Sequence, residues 1–140
     1  DQAAVVDAYK ELKSFLTDYP DAKESTRMRD LLGQVLARLV RHELYVARYY
    51  LDKDNYDATL ARVEYALHNY AAALQGLRAG AAQPSDLEAE ALLLLGQTYL
   101  RMHRWEEARR AFEAVVRGDP RSPLVAQAIS YLAYLQRRGA

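Results

Sequence analysis

The sequence contains no cysteine. That excludes disulfides, thiolate metal sites and cysteine nucleophiles, and it leaves the redox compartment open, since periplasmic and cytosolic domains alike can lack the residue. Nor is there an excess of charge of either sign. The 19 Lys and Arg balance the 19 Asp and Glu, which argues against a nucleic-acid partner held by counterion release and against a polybasic membrane patch. No apolar run approaches the roughly 20 residues of a membrane-spanning helix; Ala91–Leu95 falls far short of it. Glycine and proline are scarce, at six and four, and the glycines form no phosphate-cradling loop. His42, His68 and His103 are scattered, without His-x-x-x-His or His-Glu-x-x-His spacing, so neither a metal nor a cofactor is expected. The serines lack a nucleophile-elbow context, and Glu106-Glu107 reads as solvated helix charge, so no catalysis is expected.

What is present is a hydrophobic content of 51% in 140 residues, enough for one globular domain with a real core. The most informative stretch is Leu92–Pro120: Leu92, Leu95, Gly96 and Tyr99, then Ala108, Phe112, Val115 and Pro120. These residue types at these spacings fit the tetratricopeptide (TPR) repeat, a helix–turn–helix unit of about 34 residues. Gly96 lets the two helices approach, and Tyr99 and Trp105 fill space near the turn. Ala108 is small at the crossing, and Phe112 plugs the gap to the next unit. Pro120 ends the second helix, because it has no N–H and clashes with the preceding turn.

Two partial copies follow the same template. Tyr50, Tyr56, Thr59, Val63, Ala66 and Leu67 shadow Tyr99, Trp105, Ala108, Phe112, Val115 and Val116 at a shift of 49. Ala8, Leu12, Phe15, Leu16 and Pro20 shadow Ala108, Phe112, Val115, Val116 and Pro120 at a shift of 100. The shifts exceed the usual period by about 15–17 residues each, which lengthens helices. The expected fold is therefore all-α, a TPR-type solenoid of helical hairpins with about six antiparallel helices. Residues 1–20 are read as the second helix of a first unit, 22–78 as a second, elongated unit, 86–120 as a third, and 123–138 as a capping helix. Since the first unit shows one helix only, the chain is read as the C-terminal part of a longer solenoid. One long helix is predicted near 22–52, with Asp21 and Glu24 as a capping-box start and Leu32, Val35, Leu36, Leu39, Val46 and Tyr50 as its apolar stripe. Asp54-Asn55 makes the next turn. A third helix is predicted over 56–77, because Ala71 stands where the other units have proline. Gly76, Gly80 and Pro84 mark a linker, Ser85 and Glu88 a capping box, and further helices end near Met102, Arg117 and Arg137.

The run His42-Glu43-Leu44-Tyr45-Val46-Ala47-Arg48-Tyr49-Tyr50, followed by Tyr56 and by Arg62-Val63-Glu64, resembles the BamD family of outer-membrane assembly lipoproteins. Asp1-Gln2, Phe15-Leu16, Tyr19-Pro20-Asp21 and the long helix resemble it too, so that the likeness covers Asp1–Tyr70; from Leu87 onward the chain matches generic TPR. The resemblance implies a non-catalytic periplasmic scaffold held at the outer membrane by an N-terminal lipid on a cysteine that would precede Asp1. It implies docking on the POTRA domains of BamA, contacts to accessory Bam lipoproteins, and handling of unfolded outer-membrane proteins. Arg38 matches a family arginine near the BamA-facing surface. The alternative is another envelope TPR adaptor, in cell division, pilus assembly or secretion, that binds a peptide or protein in its concave groove.

Eleven tyrosines against two phenylalanines supply apolar area with a polar tip, a composition favoured at interfaces. Tyr50 and Tyr99 occupy packing positions. Tyr45 and Tyr49 flank the packing stripe and are the better interface candidates. The first helix of a TPR unit faces the concave groove, at Arg41, Leu44, Arg48 and Leu51 in the second unit and at Glu90, Leu93, Gln97, Leu100 and Arg101 in the third. Arg41, Arg48 and Arg101 are positioned to grip carboxylates, or else to pair with Glu43, Asp52 or Glu90 on the surface. Arg38, Arg41, Leu44, Tyr45, Arg48, Tyr49, Gln97 and Arg101 are thus the expected partner-binding residues.

Overall fold

The computed structural model describes residues 2–77 and 86–139. The linker positions Gly80 and Pro84, and Ser85 of the expected capping box, lie outside the described residues. Within them the chain is all α-helical: α1 Gln2–Asp18, α2 Ser25–Asp52, α3 Tyr56–Ala66, a π turn Leu67–Ala71, α4 Ala72–Leu77, α5 Leu87–Arg101, α6 Trp105–Arg117 and α7 Leu124–Arg137. The segments α3, π turn and α4 run on as one rod, so six rods are described.

The long helix α2 has 28 residues, about 42 Å at 1.5 Å per residue. It begins later than the spacing predicts, and the Asp21–Glu24 capping box is not made: Glu24 stands at the N-cap without a side-chain hydrogen bond. The chain instead winds through turns after Pro20. The buried Ser25 hydroxyl donates to the Tyr19 carbonyl at 2.6 Å, which ties the helix start back to the end of α1. At Ala71 the expectation holds for a simple reason. Alanine keeps the N–H that proline lacks, and the helix continues, widened to i→i+5 bonding where the Ala72 N–H donates to the Leu67 carbonyl.

The shift of 49 is reproduced in the backbone. Asp54 and His103 both have left-handed φ, 57° and 61°. The Asp54 and Asn55 N–H groups donate to the Leu51 and Tyr50 carbonyls, and those of His103 and Arg104 to Leu100 and Tyr99. In the first of these turns the Asn55 side chain also caps α3 through the Ala58 N–H. Two equal turns fold α2 on α3 and α5 on α6 as hairpins, with α1 laid on α2 and α7 on α6. The close approach expected of Gly96 is present: a Cβ there would lie 2.5 Å from the Phe112 ring.

The core falls into two clusters. The larger joins Leu36, Leu39, Val40, Leu44 and Ala47 of α2 with Val63, Tyr70 and Leu74, and extends to Ala91 and Leu94 of α5. The smaller joins Leu93 of α5 with Phe112 and Val115 of α6 and Ala128 and Leu135 of α7. Helix α5 therefore buries two faces and links the clusters. Tyr99 and Trp105 pack on the second as partly buried rings, as the template requires.

Tyr70 is buried, edge-on to Tyr9 of α1 at 5.8 Å and to Tyr65 of α3 at 5.5 Å. Burial first, and then the neighbouring Tyr65 hydroxyl, push its phenol above the ordinary tyrosine range. A folded-state value above the unfolded one means that Tyr70 stabilises the fold fully below a pH of about 10, and that this contribution is lost as the pH rises toward its folded value. Tyr70→Phe keeps the ring and removes the ionisation. The melting temperature of the wild type is expected to fall more steeply above a pH of about 10 than that of Tyr70→Phe. Parallel alkaline limbs would contradict the assignment.

Candidate functional site

Helix α2 turns one continuous stripe to solvent. Residues at spacings of three and four fall on one side of a helix, and Arg27, Asp30, Gln34, Arg38, Arg41, Tyr45, Arg48 and Tyr49 are all exposed along it. Tyr45 is 74% exposed and Tyr49 57%, unusual for tyrosines in a protein with a packed core. The Tyr49 ring meets Tyr50 edge-on at 5.5 Å and carries the Lys53 ammonium 5.5 Å from its centroid. Arg38 and Arg41 form no ion pair among the described residues.

The other expected site residues have different fates. Leu44 is 1% exposed and belongs to the core. It presents no surface to a partner, because it lies inside the larger core cluster, where α2 packs on α3 and its neighbours. Leu51 and Leu93 are also buried, at 6% each, Leu51 in the larger cluster and Leu93 in the smaller one with residues of α6 and α7. Arg48 pairs with Glu90 of α5, a half-exposed bridge of about 0–1 kcal/mol. Arg101 Nη1 donates to the Leu51 carbonyl at 3.3 Å, and Gln97 Nε2 to the Tyr131 hydroxyl at 3.0 Å. Arg48, Glu90 and Gln97 do come together: with Asp86, Leu124 and Gln127 they line a cleft of about 380 Å³ between α2, α5 and the start of α7.

The motif residues Glu43 and Arg62 are also brought together. Glu43 is 8% exposed and accepts from Arg62 Nη1 at 3.2 Å across the α2–α3 hairpin, since a carboxylate this buried needs a partner. Glu64 lies 3.5 Å from the Tyr99 hydroxyl. Burial first and the Glu64 charge second raise the Tyr99 phenol above its ordinary value. These motif positions tie α2 to α3 and α3 to α5.

Sequence reasoning missed a second concavity. Leu100, Arg101, His103, Trp105, Tyr131 and Arg138 contribute to a pocket of about 620 Å³ between the ends of α5 and α7 and the start of α6. Its signal was present in the aromatic and basic residues of 131–138, but only the solenoid geometry sets them beside the turn at His103.

Among the described residues no three His, Asp or Glu side chains come together in a way that would hold a metal ion, and no helix is long and apolar enough to cross a membrane. Stacked helical hairpins with an exposed helix face and a cleft define a TPR solenoid, a class that works as a protein-interaction scaffold. The sequence profile of the outer membrane lipoprotein family YfiO matches residues 1–83, and that of the tetratricopeptide repeat matches 89–122. The chain belongs to the YfiO outer membrane lipoprotein family, of BamD type, which points to the cell envelope. Neither the curated proteins nor the solved structures contain a significant match.

Proposed function

We propose that this protein is a non-catalytic scaffold of the outer-membrane β-barrel assembly machinery, lipid-anchored on the periplasmic face of the outer membrane. It docks through the exposed face of α2 on POTRA domains of BamA. Accessory lipoproteins or unfolded outer-membrane proteins occupy other surfaces. The observation that carries this reading is the α2 stripe, where Arg38 and Arg41, which form no ion pair among the described residues, lie two turns and one turn before the exposed ring of Tyr45. Arginine and tyrosine are the residue types that dominate interface energetics. An unpaired guanidinium supplies forked donors to a partner carboxylate.

The test is a calorimetric titration of the protein with isolated BamA POTRA domains, repeated with Arg38→Glu. Reversing a charge inside an interface costs about 2–5 kcal/mol. Saturable binding that drops at least tenfold in the variant, at an unchanged melting temperature, is the expected outcome. Equal affinity of both proteins sinks the site on α2. The alternative, an envelope TPR adaptor that takes a peptide in its concave groove, draws on the cleft lined by Glu90, Gln97 and Gln127. It predicts that Gln97→Glu impairs partner binding while Arg38→Glu does not.

A further inference from the structure

The 620 Å³ pocket at the ends of α5 and α7 has a composition that the fold does not require. Its basic lining residues are Arg101, His103 and Arg138, and among the described residues no carboxylate lines it. The walls are aromatic. The His103 ring stacks on Trp105 at 5.1 Å, and the Arg138 guanidinium lies 4.3 Å from the Trp105 ring and 6.0 Å from that of Tyr134. Neither Arg101 nor Arg138 forms an ion pair among the described residues. The volume is that of a site for a small ligand or a few peptide residues.

The preceding hairpin provides an internal comparison. At a shift of 49, Arg101 corresponds to Asp52, His103 to Asp54 and Trp105 to Tyr56. The turns share their left-handed residue and their hydrogen bonds. The same backbone is thus made with two acids in one repeat and two bases in the next. Turn geometry does not select the basic side chains, nor does any internal ion pair with the described residues. Arg101 donates through Nη1 to the Leu51 carbonyl and Arg138 lies over the Trp105 ring, yet neither contact neutralises its charge, which is left to a ligand of opposite sign.

We propose that this pocket receives an acidic segment of a partner protein, with one large apolar side chain seated among Trp105, Tyr131 and Tyr134 and its carboxylates held by Arg101 and Arg138. Guanidinium groups form charge-assisted, forked hydrogen bonds to carboxylates. The aromatic faces bury the apolar anchor while their polar tips stay wet. The site lies apart from the α2 stripe and does not depend on which partner that stripe engages.

Trp105 is the sole tryptophan of the chain, so its fluorescence reports occupancy directly. The probes are three synthetic nonapeptides: four glutamates around a central phenylalanine, the same peptide with alanine at the centre, and the same with lysines for glutamates. Vesicles of anionic phosphatidylglycerol form a fourth arm. The phenylalanine–glutamate peptide is expected to give a saturable change that weakens with added salt. The alanine peptide binds at least tenfold more weakly, and the lysine peptide and the vesicles give no saturable change. Arg138→Glu, on an exposed side chain, abolishes the response at an unchanged melting temperature, and Tyr134→Ala weakens it at least fivefold. Arg38→Glu leaves it intact, which separates failure of this site from failure of the docking face on α2. Equal responses to the glutamate and lysine peptides, a response to vesicles alone, full binding by Arg138→Glu, or no saturable change with any peptide would each overturn the proposal.

Discussion

Phe112→Ala is expected to destabilise the protein by about 3–5 kcal/mol, the range for removing a fully buried aromatic ring. The ring has no solvent exposure, stacks on Tyr131 of α7 at 4.6 Å, and fills the space that Gly96 leaves open on α5. Removing it leaves a cavity in the smaller cluster, whose few other large members do not fill it. The complementary change, Gly96→Ala, works in the opposite direction. Its new Cβ would sit 2.5–2.8 Å from three ring atoms, an overlap that costs about 1–3 kcal/mol, against a gain of up to about 1 kcal/mol in helix propensity. The preceding repeat shows how the two changes combine. Position 47 is alanine where 96 is glycine, and position 63 is valine where 112 is phenylalanine, with both Ala47 and Val63 fully buried. One repeat packs small against large, the other medium against medium. Gly96→Ala in a Phe112→Val background should therefore cost less than in the wild type, so that the double variant is more stable than the sum of the single changes predicts. Urea denaturation of the four proteins gives the coupling energy directly, since contacting residues depart from additivity by about 0.5–3 kcal/mol. Strict additivity would mean that the ring and the glycine do not share the space assigned to them.

That pair also shows which parts of the fold were legible in the sequence. Gly96, Phe112 and Pro120 carry their meaning locally, because each solves a steric problem that few other residue types solve at that spacing. The repeat shift of 49 was legible for the same reason, and it located the turn at Asp54-Asn55, which the backbone makes with a left-handed Asp54. The start of α2 was not. A Ser or Asp before an apolar run signals a cap only if the chain enters the helix there, and here the competing bond from Ser25 to the Tyr19 carbonyl fixed the entry elsewhere. The widened turn over Leu67–Ala71 left no mark either, since alanine and tyrosine are compatible with α and π bonding alike. The candidate surfaces were half legible. Periodicity separates a solvent stripe from a buried one, and it set Arg38, Arg41, Tyr45 and Tyr49 outside. It does not say how many sides of a helix are covered. The groove positions at Leu44, Leu51 and Leu93 were drawn from a generic repeat, whose first helix is open on its inner side. In this protein α2 carries neighbours from α1 to α5 along its length and α5 packs on α6 and α7, so these positions are core. The basic aromatic pocket joins residues more than thirty positions apart in sequence, and only the packing of α7 on α6 brings them together.

The adjacent residues Leu44 and Tyr45 turn this distinction into the second large effect. One step along a helix rotates the side chain by about 100°, enough to carry it from the core at 1% exposure to solvent at 74%. Leu44→Ala removes a buried side chain at the centre of the larger cluster, where α2, α3 and the rod beyond it meet, and is expected to cost about 2–5 kcal/mol of stability. The molecules that remain folded keep the α2 stripe, so their affinity for a partner docked there is unchanged. Tyr45→Ala is expected to do the reverse. Its ring stabilises little in the free protein, because so much of it is already in water, and the melting temperature should hold within a degree or so, as for surface substitutions within about 0.5 kcal/mol. In a complex that covers the stripe, however, the ring is the most exposed large apolar group on it, one turn beyond Arg41. Truncating an interface tyrosine that is fully desolvated on binding costs about 2 kcal/mol or more, roughly a thirtyfold loss of affinity. Chemical denaturation and a binding titration on the same two variants separate the cases. If Tyr45→Ala lowers stability as much as Leu44→Ala, the register of α2 is wrong. If it binds POTRA domains as well as the wild type does, the tyrosines are not the anchor, and docking rests on the arginines alone.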